Sequence, residues 1–178
     1  MRKHTGLIAA ALLGSALIVL AAGSYAFAEG GKTSVKADPL TGYQEATPAG
    51  VSSPATGSFE AVIDDDAQTT DYTLSYSGLE APVLFAHVHF GNRFTSGGVS
   101  AFLCGGGCKP ACPQSGSVSG TITAADVIGP AGQGIAAGEF GELVDAIRAG
   151  LTYANVHSTK FPAGEIRGQI NDDNQRQP

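Results

Sequence analysis

Residues 71–77, DYTLSYS, alternate at every position between large apolar and polar side chains. In an extended chain the two kinds of side chain point to opposite sides. A period of two with one polar side is typical of a half-buried β-strand. Residues 57–64 alternate in the same way, and the polar residues 64–70 between the two segments predict a hairpin connection.

The rest of the chain predicts more short strands and one helix. The further strands are expected at residues 83–90, 99–104, 117–123, 151–157 and 165–170. The helix is expected at about residues 138–149, where Phe140, Val144 and Ile147 fall on one stripe and Gly150 suits the stop. Many short strands with a single short helix predict a mainly all-β chain, an antiparallel β-sandwich.

Length and charge set the class of protein. The chain has 178 residues, 17.9 kDa and a formal net charge of −6. This length predicts one domain with short flanking segments. No basic block is present, and phosphate contacts need clustered Lys and Arg, so we expect no nucleic-acid partner.

The N-terminus has the features of a targeting segment. Arg2 and Lys3 precede a long apolar run, and Ala26-Phe27-Ala28 forms a cleavage site of the A-x-A type. We expect residues 1–28 to be a signal peptide, although a retained anchor is the alternative. Residues 29–34 are then a flexible lead-in, and residues 171–178 a disordered polar tail. The mature protein would be secreted, periplasmic or on the cell surface, with no membrane association after cleavage.

Three histidines are the candidate metal ligands. His87 and His89 lie two residues apart, and therefore on one face of a strand, about 6.6 Å apart at Cα. His157 shares a face with Tyr153 and Asn155 on another predicted strand. If the two strands are neighbours, three imidazoles can converge on copper or zinc, with Asn or carboxylate groups fixing their tautomers. The alternative is a structural cluster of hydrogen-bonded histidines without a metal.

Several motifs recur in the order found in a known family. They are AHVHFG at 86–91, FLC at 102–104, GTITAADV at 120–127, YANVHS at 153–158 and FPAGEIRGQ at 161–169. Over residues 35–170 the chain resembles the CHRD domain, named after the chordin repeats and common in secreted bacterial proteins. The resemblance implies an immunoglobulin-like or superoxide-dismutase-like antiparallel β-sandwich, and it implies little about activity.

The resemblance also bears on the cysteines. The CHRD family usually carries one cysteine after Phe-Leu and another before Pro. Here these are Cys104 and Cys112, so the resemblance implies that these two form a disulfide. Cys108 is then left over, a departure from the family pattern. A thiolate metal site on all three cysteines, for Cu(I), is the alternative. An exported chain favours the disulfide.

The motif His-x-His followed by Phe-Gly is also similar to the copper strand of copper/zinc superoxide dismutase. That enzyme needs further histidines, and the mature chain keeps only one more. We therefore expect no dismutase activity, and lean towards a protein that is not an enzyme. Glu165 and Arg167 share a strand face and are expected to pair across strands with residues such as Arg93 or Asp71. Alternatively, Arg167 lines a rim that carries the histidines.

Two hypotheses follow. The first is an exported, non-enzymatic binding or structural module of the cell envelope or extracellular space, with an extracellular protein or a surface component as its partner. The second is a copper- or zinc-binding protein that uses His87, His89 and His157.

Overall fold

The computed structural model describes residues 31–47 and 49–172. In these residues eight strands account for most of the regular structure. They are β1 (Lys32–Thr41), β2 (Thr56–Asp64), β3 (Thr69–Ser77), β4 (Val83–Phe90), β5 (Gly98–Cys104), β6 (Gly116–Ile122), β7 (Thr152–Ser158) and β8 (Ile166–Asp172). A helix α1 (Phe140–Arg148) and three single 3-10 turns, at Gly42–Gln44, Ala124–Asp126 and Ala131–Gln133, complete the described regular structure.

The eight strands form one antiparallel sheet in the order β5-β4-β7-β8-β1-β2-β3-β6. The sheet curls until its two ends approach each other. The Tyr72 hydroxyl on β3 donates a hydrogen bond of 2.7 Å to the Leu103 carbonyl oxygen on β5. The result is a barrel-like sandwich, which confirms the predicted all-β antiparallel fold with one short helix.

The core lies on the concave side of the sheet. The apolar side chains that occur at every second position of the strands fill it. Phe59, Leu74, Val88 and Ile166 come from four different strands and are at most 2% exposed. The helix adds the predicted stripe, since Phe140, Leu143, Val144 and Ile147 are all buried. Burial of this apolar surface is the main favourable contribution to folding.

The predicted strands agree with the observed ones to within two residues at each end. One strand was not predicted. β1 starts at Lys32, inside the segment expected to be a flexible lead-in, and pairs with β2 from Lys32 opposite Asp64. Its alternation is broken at Asp38-Pro39, where the pairing register shifts between Ala37 and Leu40.

The ends of the chain fall partly outside the described residues. The predicted signal peptide, residues 29–30 and residues 173–178 lie there. Residues 171–172, expected to begin the disordered tail, instead belong to β8 and pair with β1. No helix within residues 31–47 and 49–172 has the length and apolarity needed to cross a membrane.

Candidate metal centre

The polar residues of the candidate site lie on the face of β4, β7 and β8 that points away from the core. In the antiparallel pairing of β4 with β7, His89 is opposite Tyr153 and His87 is opposite Asn155. All seven residues of β7 are buried, so both of its faces are covered. Loop residues between β1 and β2 and between β4 and β5 cover the polar face, as the contacts below show.

The structure brings the three predicted histidines together. One ring nitrogen from each of His87, His89 and His157 lies within 4.8 Å of the other two. His87 Nδ1 is 3.2 Å from His157 Nε2. The three side chains are 4–8% exposed, so the cluster is inside the protein.

Backbone carbonyls determine the tautomers of two of the rings. His89 Nδ1 is 3.0 Å from the Gly97 carbonyl oxygen, and His157 Nδ1 is 3.1 Å from that of Pro162. A carbonyl only accepts, so both Nδ1 atoms carry the hydrogen and both Nε2 atoms keep a free lone pair. His157 Nε2 therefore accepts a hydrogen bond from His87 Nδ1. His89 Nε2 is buried and has no hydrogen-bond partner among the described residues.

All three imidazoles are neutral at physiological pH. Burial, and then the neighbouring His157 and His89, lower the pKa of His87 to about 3. Burial lowers the pKa of His89 to about 4, and the pKa of His157 to about 4, although the carbonyl hydrogen bonds act in the opposite direction. Neutral imidazole is the form that binds transition metals.

Aromatic rings surround the cluster. Phe85 lies 4.7 Å from His87 and 4.8 Å from His157 between ring centroids, and Phe102 lies 4.4 Å from His87. The Tyr153 ring stacks on His89 at 4.7 Å. These contacts restrict the rotation of the imidazoles, because close-packed side chains have few alternative rotamers.

Arg167 extends this stack. Its guanidinium carbon lies 3.4 Å from the centroid of the Tyr153 ring. Its two Nη groups donate to the Thr95 carbonyl oxygen at 3.0 Å and to the Asn92 carbonyl oxygen at 2.6 Å. Arg167 thus reaches the histidine cluster through Tyr153, and it holds the loop that supplies Gly97 to His89.

The expected pairing of Glu165 and Arg167 with Arg93 or Asp71 is wrong. Glu165 is fully buried, and its Oε1 accepts from Ser53 Oγ at 2.7 Å and from the Glu80 backbone N–H at 2.8 Å. The physical reason is that loop residues supply the partners: a hydroxyl and a backbone N–H group for Glu165, and backbone carbonyl oxygens for Arg167.

Sequence reasoning missed Glu45. It is 6% exposed, and its Oε1 accepts a hydrogen bond of 2.5 Å from Asn155 Nδ2. Burial raises the pKa of Glu45 to about 8, against the opposing effects of Arg167 and the Asn155 hydrogen bond. Gly164 leaves room for this contact, since at φ +131° a Cβ there would be 2.6 Å from both Glu45 Oε1 and Asn155 Nδ2.

The cysteines lie apart from this face. Cys104 and Cys112 form a disulfide, as the family resemblance implied. Cys108 is exposed and is not part of a disulfide. The alternative of a site with three thiolates is therefore wrong, because two of the three sulfurs are bonded to each other.

A separate hollow lies elsewhere on the surface. It has a volume of about 790 Å³ and lies over β1, β2, β3 and β6, with side chains such as Lys36, Glu60 and Thr121 along it. The histidines do not line it, so the two features are separate.

The fold and the site define a class: an antiparallel β-sandwich domain with a buried histidine cluster beneath two loops. The sequence model of the CHRD domain family matches residues 37–170, and the chain belongs to this family. Searches against curated proteins and against solved structures found no match. The family and the disulfide fit an extracellular or periplasmic protein.

Proposed function

We propose that the chain is an exported, non-enzymatic CHRD-domain protein that holds one copper or zinc ion on His87, His89 and His157. The observation that carries the proposal is the convergence of three neutral imidazole nitrogens within 4.8 Å. Two of the rings are held by carbonyl oxygens on their opposite nitrogens, an arrangement that orients histidine ligands in metal sites.

The spacing of the nitrogens supports this proposal. Tetrahedral bonds of 2.0–2.1 Å separate two ligand nitrogens by about 3.3 Å. The distance between His87 Nδ1 and His157 Nε2 is 3.2 Å. A metal ion at this position would replace the hydrogen shared by the two rings, and His87 would then carry its hydrogen on Nε2. The third nitrogen needs only a small side-chain movement to reach the same ion.

The donor set favours copper or zinc over other ions. Imidazole suits zinc and copper, and no carboxylate or thiolate joins the cluster among the described residues. A site with three histidines and an open position is also a known zinc arrangement. A dismutase needs further histidine ligands, and residues 31–47 and 49–172 contain no histidine besides these three.

Metal titration of the purified protein tests the proposal. We expect one equivalent of Cu(II) or Zn(II) per chain by calorimetry and elemental analysis, and a rise in melting temperature on loading. His87→Ala, His89→Ala and His157→Ala should each weaken binding by 100-fold or more. Cu(II) electron paramagnetic resonance should show nitrogen couplings that these variants lose.

Two control variants make the experiment specific. Cys108→Ser removes the exposed thiol and should leave binding unchanged, which separates the histidines from adventitious binding by sulfur. Ser100→Ala removes a fully buried hydroxyl that has no partner among the described residues, and it should also bind metal normally. If all three histidine variants bind copper and zinc like the wild type, the metal proposal fails.

Export is the second part of the proposal. The family and the disulfide support it, and the signal peptide expected at residues 1–28 would supply the route. N-terminal sequencing of the protein from the envelope or medium should begin at Glu29. An intact N-terminus on protein that remains in the cell would contradict this part alone.

A further inference from the structure

A second pocket on the protein surface includes Glu45 in its lining. It has a volume of about 390 Å³, at the small end of the range for ligand sites. The two loops that cover the histidine face form it together. Tyr43, Gln44 and Glu45 come from the loop after β1, and Arg93 and Phe94 come from the loop after β4.

Two exposed aromatic rings border this pocket. Tyr43 is 77% exposed and Phe94 is 84% exposed, the two largest exposures among the big hydrophobic side chains that the structure describes. Each ring comes from a different loop. Exposed aromatic side chains beside a pocket commonly mark a contact surface, because their burial by a ligand is favourable.

Arg93 offers a charge that the protein itself does not use. Its Nε–H is buried and has no acceptor, and the side chain forms no ion pair with any residue of 31–47 or 49–172. Arg167 fixes the position of Arg93. The Arg167 guanidinium donates to the carbonyl oxygens of Asn92 and Thr95, which lie before and after Arg93 in the loop. The two Nη groups of a guanidinium can together bind a carboxylate through two parallel hydrogen bonds.

The remaining lining groups suit hydroxyl groups. The Gln44 amide nitrogen donates to the Pro39 carbonyl oxygen at 2.6 Å, which leaves the Gln44 carbonyl oxygen as an acceptor. The Glu45 carboxyl keeps one oxygen without a hydrogen bond to Asn155. Because burial keeps this carboxyl protonated at neutral pH, it does not repel an anion and can donate to one.

We propose that this pocket binds a uronate, a sugar ring that carries a carboxylate, within an acidic polysaccharide. Arg93 binds the carboxylate, the aromatic rings of Tyr43 and Phe94 contact the C–H faces of the sugar, and Gln44 and Glu45 bind its hydroxyls. An amphipathic sugar ring matches a pocket lined by both exposed aromatic rings and polar side chains better than a wholly apolar ligand does.

The negative charge of the whole protein restricts how an acidic polysaccharide could bind. The net charge is −6, so the protein as a whole repels a polyanion. Attraction must therefore come from the local site, and binding should need the sugar carboxylate and Arg93 together. It should depend on salt far less than binding by a basic surface does.

Calorimetry with a galacturonate trisaccharide and its methyl ester tests the proposal. We expect the acid to bind and the ester, which has lost the charge, to bind at least ten-fold more weakly. Arg93→Gln and Phe94→Ala should each weaken binding of the acid ten-fold or more. Phe94 is so exposed that its variant will fold normally, and Lys36→Gln, a matched loss of charge on the separate hollow, should bind like the wild type.

Three results would overturn the proposal. They are equal binding of acid and ester, wild-type affinity in both pocket variants, and no binding of the acid at about 10 mM. Equally tight binding of acetate or of a peptide carboxylate would overturn the assignment to a sugar. The experiment is run on protein treated with EDTA, so its outcome is independent of whether the histidines hold a metal.

Discussion

The stability of the metal-free protein should pass through a maximum near pH 7. Unfolding returns the three histidines from pKa values of about 3 to 4 to their ordinary 6.5. It also returns Glu45 from about 8 to its ordinary 4.5. The two changes have opposite signs, because the unfolded state gains protons at the histidines and loses one at Glu45.

The slopes follow from counting protons. At pH 5.5 the unfolded state holds nearly three protons on the histidines, and the folded state holds one on Glu45. The unfolded state therefore binds about two more protons, and stability should fall by roughly 2 to 3 kcal/mol for each pH unit of acidification. Above pH 7 the proton held by folded Glu45 outweighs the protons that remain on the unfolded histidines, and stability should fall as pH rises towards 8, by roughly 0.5 kcal/mol per unit. Asp64 and Asp126 have lowered pKa values and titrate below this window.

Urea unfolding at pH 5, 6, 7 and 8 measures this profile. Far-ultraviolet circular dichroism is the suitable signal, since the chain has no Trp. Glu45→Gln should remove the decline above pH 7 and make the acid slope steeper by about 1.4 kcal/mol per pH unit, because the folded state then no longer holds the opposing proton. A flat free energy of unfolding between pH 5 and 7 would refute the burial of neutral imidazoles. An alkaline decline that persists in Glu45→Gln would refute the protonated carboxyl.

Three more variants test other contacts. Replacing Cys104 and Cys112 by Ala should lower the free energy of unfolding, measured in urea, by about 2 to 3 kcal/mol. This is the entropy that the disulfide removes from the unfolded chain by closing a loop with a separation of 8 residues. Arg167→Met should cost about 2 kcal/mol and speed amide hydrogen exchange in residues 92–97, where its two carbonyl partners lie; unchanged exchange would contradict its anchoring role. His89→Phe should change the stability of the metal-free protein by less than about 1 kcal/mol yet abolish metal binding, whereas a structural histidine would lose 2 kcal/mol or more in the same urea titration.

The alternation of apolar and polar residues made most of the strands predictable from the sequence. An interruption of this alternation explains why β1 was not predicted. β2 and β3 keep a strict period of two over their whole length, so their faces could be read from the sequence. β1 has buried residues at Val35, Ala37 and Leu40, which are spaced two and then three apart. The irregularity at Asp38-Pro39 removes the pattern, and only the pairing with β2 and β8 makes the segment a strand.

The histidine cluster was predictable for a different reason. Two histidines on one strand share a face, and antiparallel pairing brought β7 beside β4, which was the one assumption that the expectation needed. The covering loops were not predictable. Nothing local to Glu45 or Arg93 indicates that one is buried over Asn155 and that the other borders a pocket, because both positions depend on contacts between segments distant in sequence.

The energetics of the cluster favour a ligand over a purely structural role. A buried polar atom without a hydrogen-bond partner costs roughly 1 to 3 kcal/mol, and His89 Nε2 is such an atom. Apolar side chains of similar size could fill the same space between Phe85, Phe102 and Tyr153 without that cost. The carbonyl oxygens of Gly97 and Pro162 nevertheless accept hydrogen bonds from the Nδ1–H groups of His89 and His157, which keeps two Nε2 lone pairs facing inwards. A metal ion would use both lone pairs and remove the unsatisfied atom, so the feature that costs stability in the metal-free protein becomes a source of affinity in the loaded one.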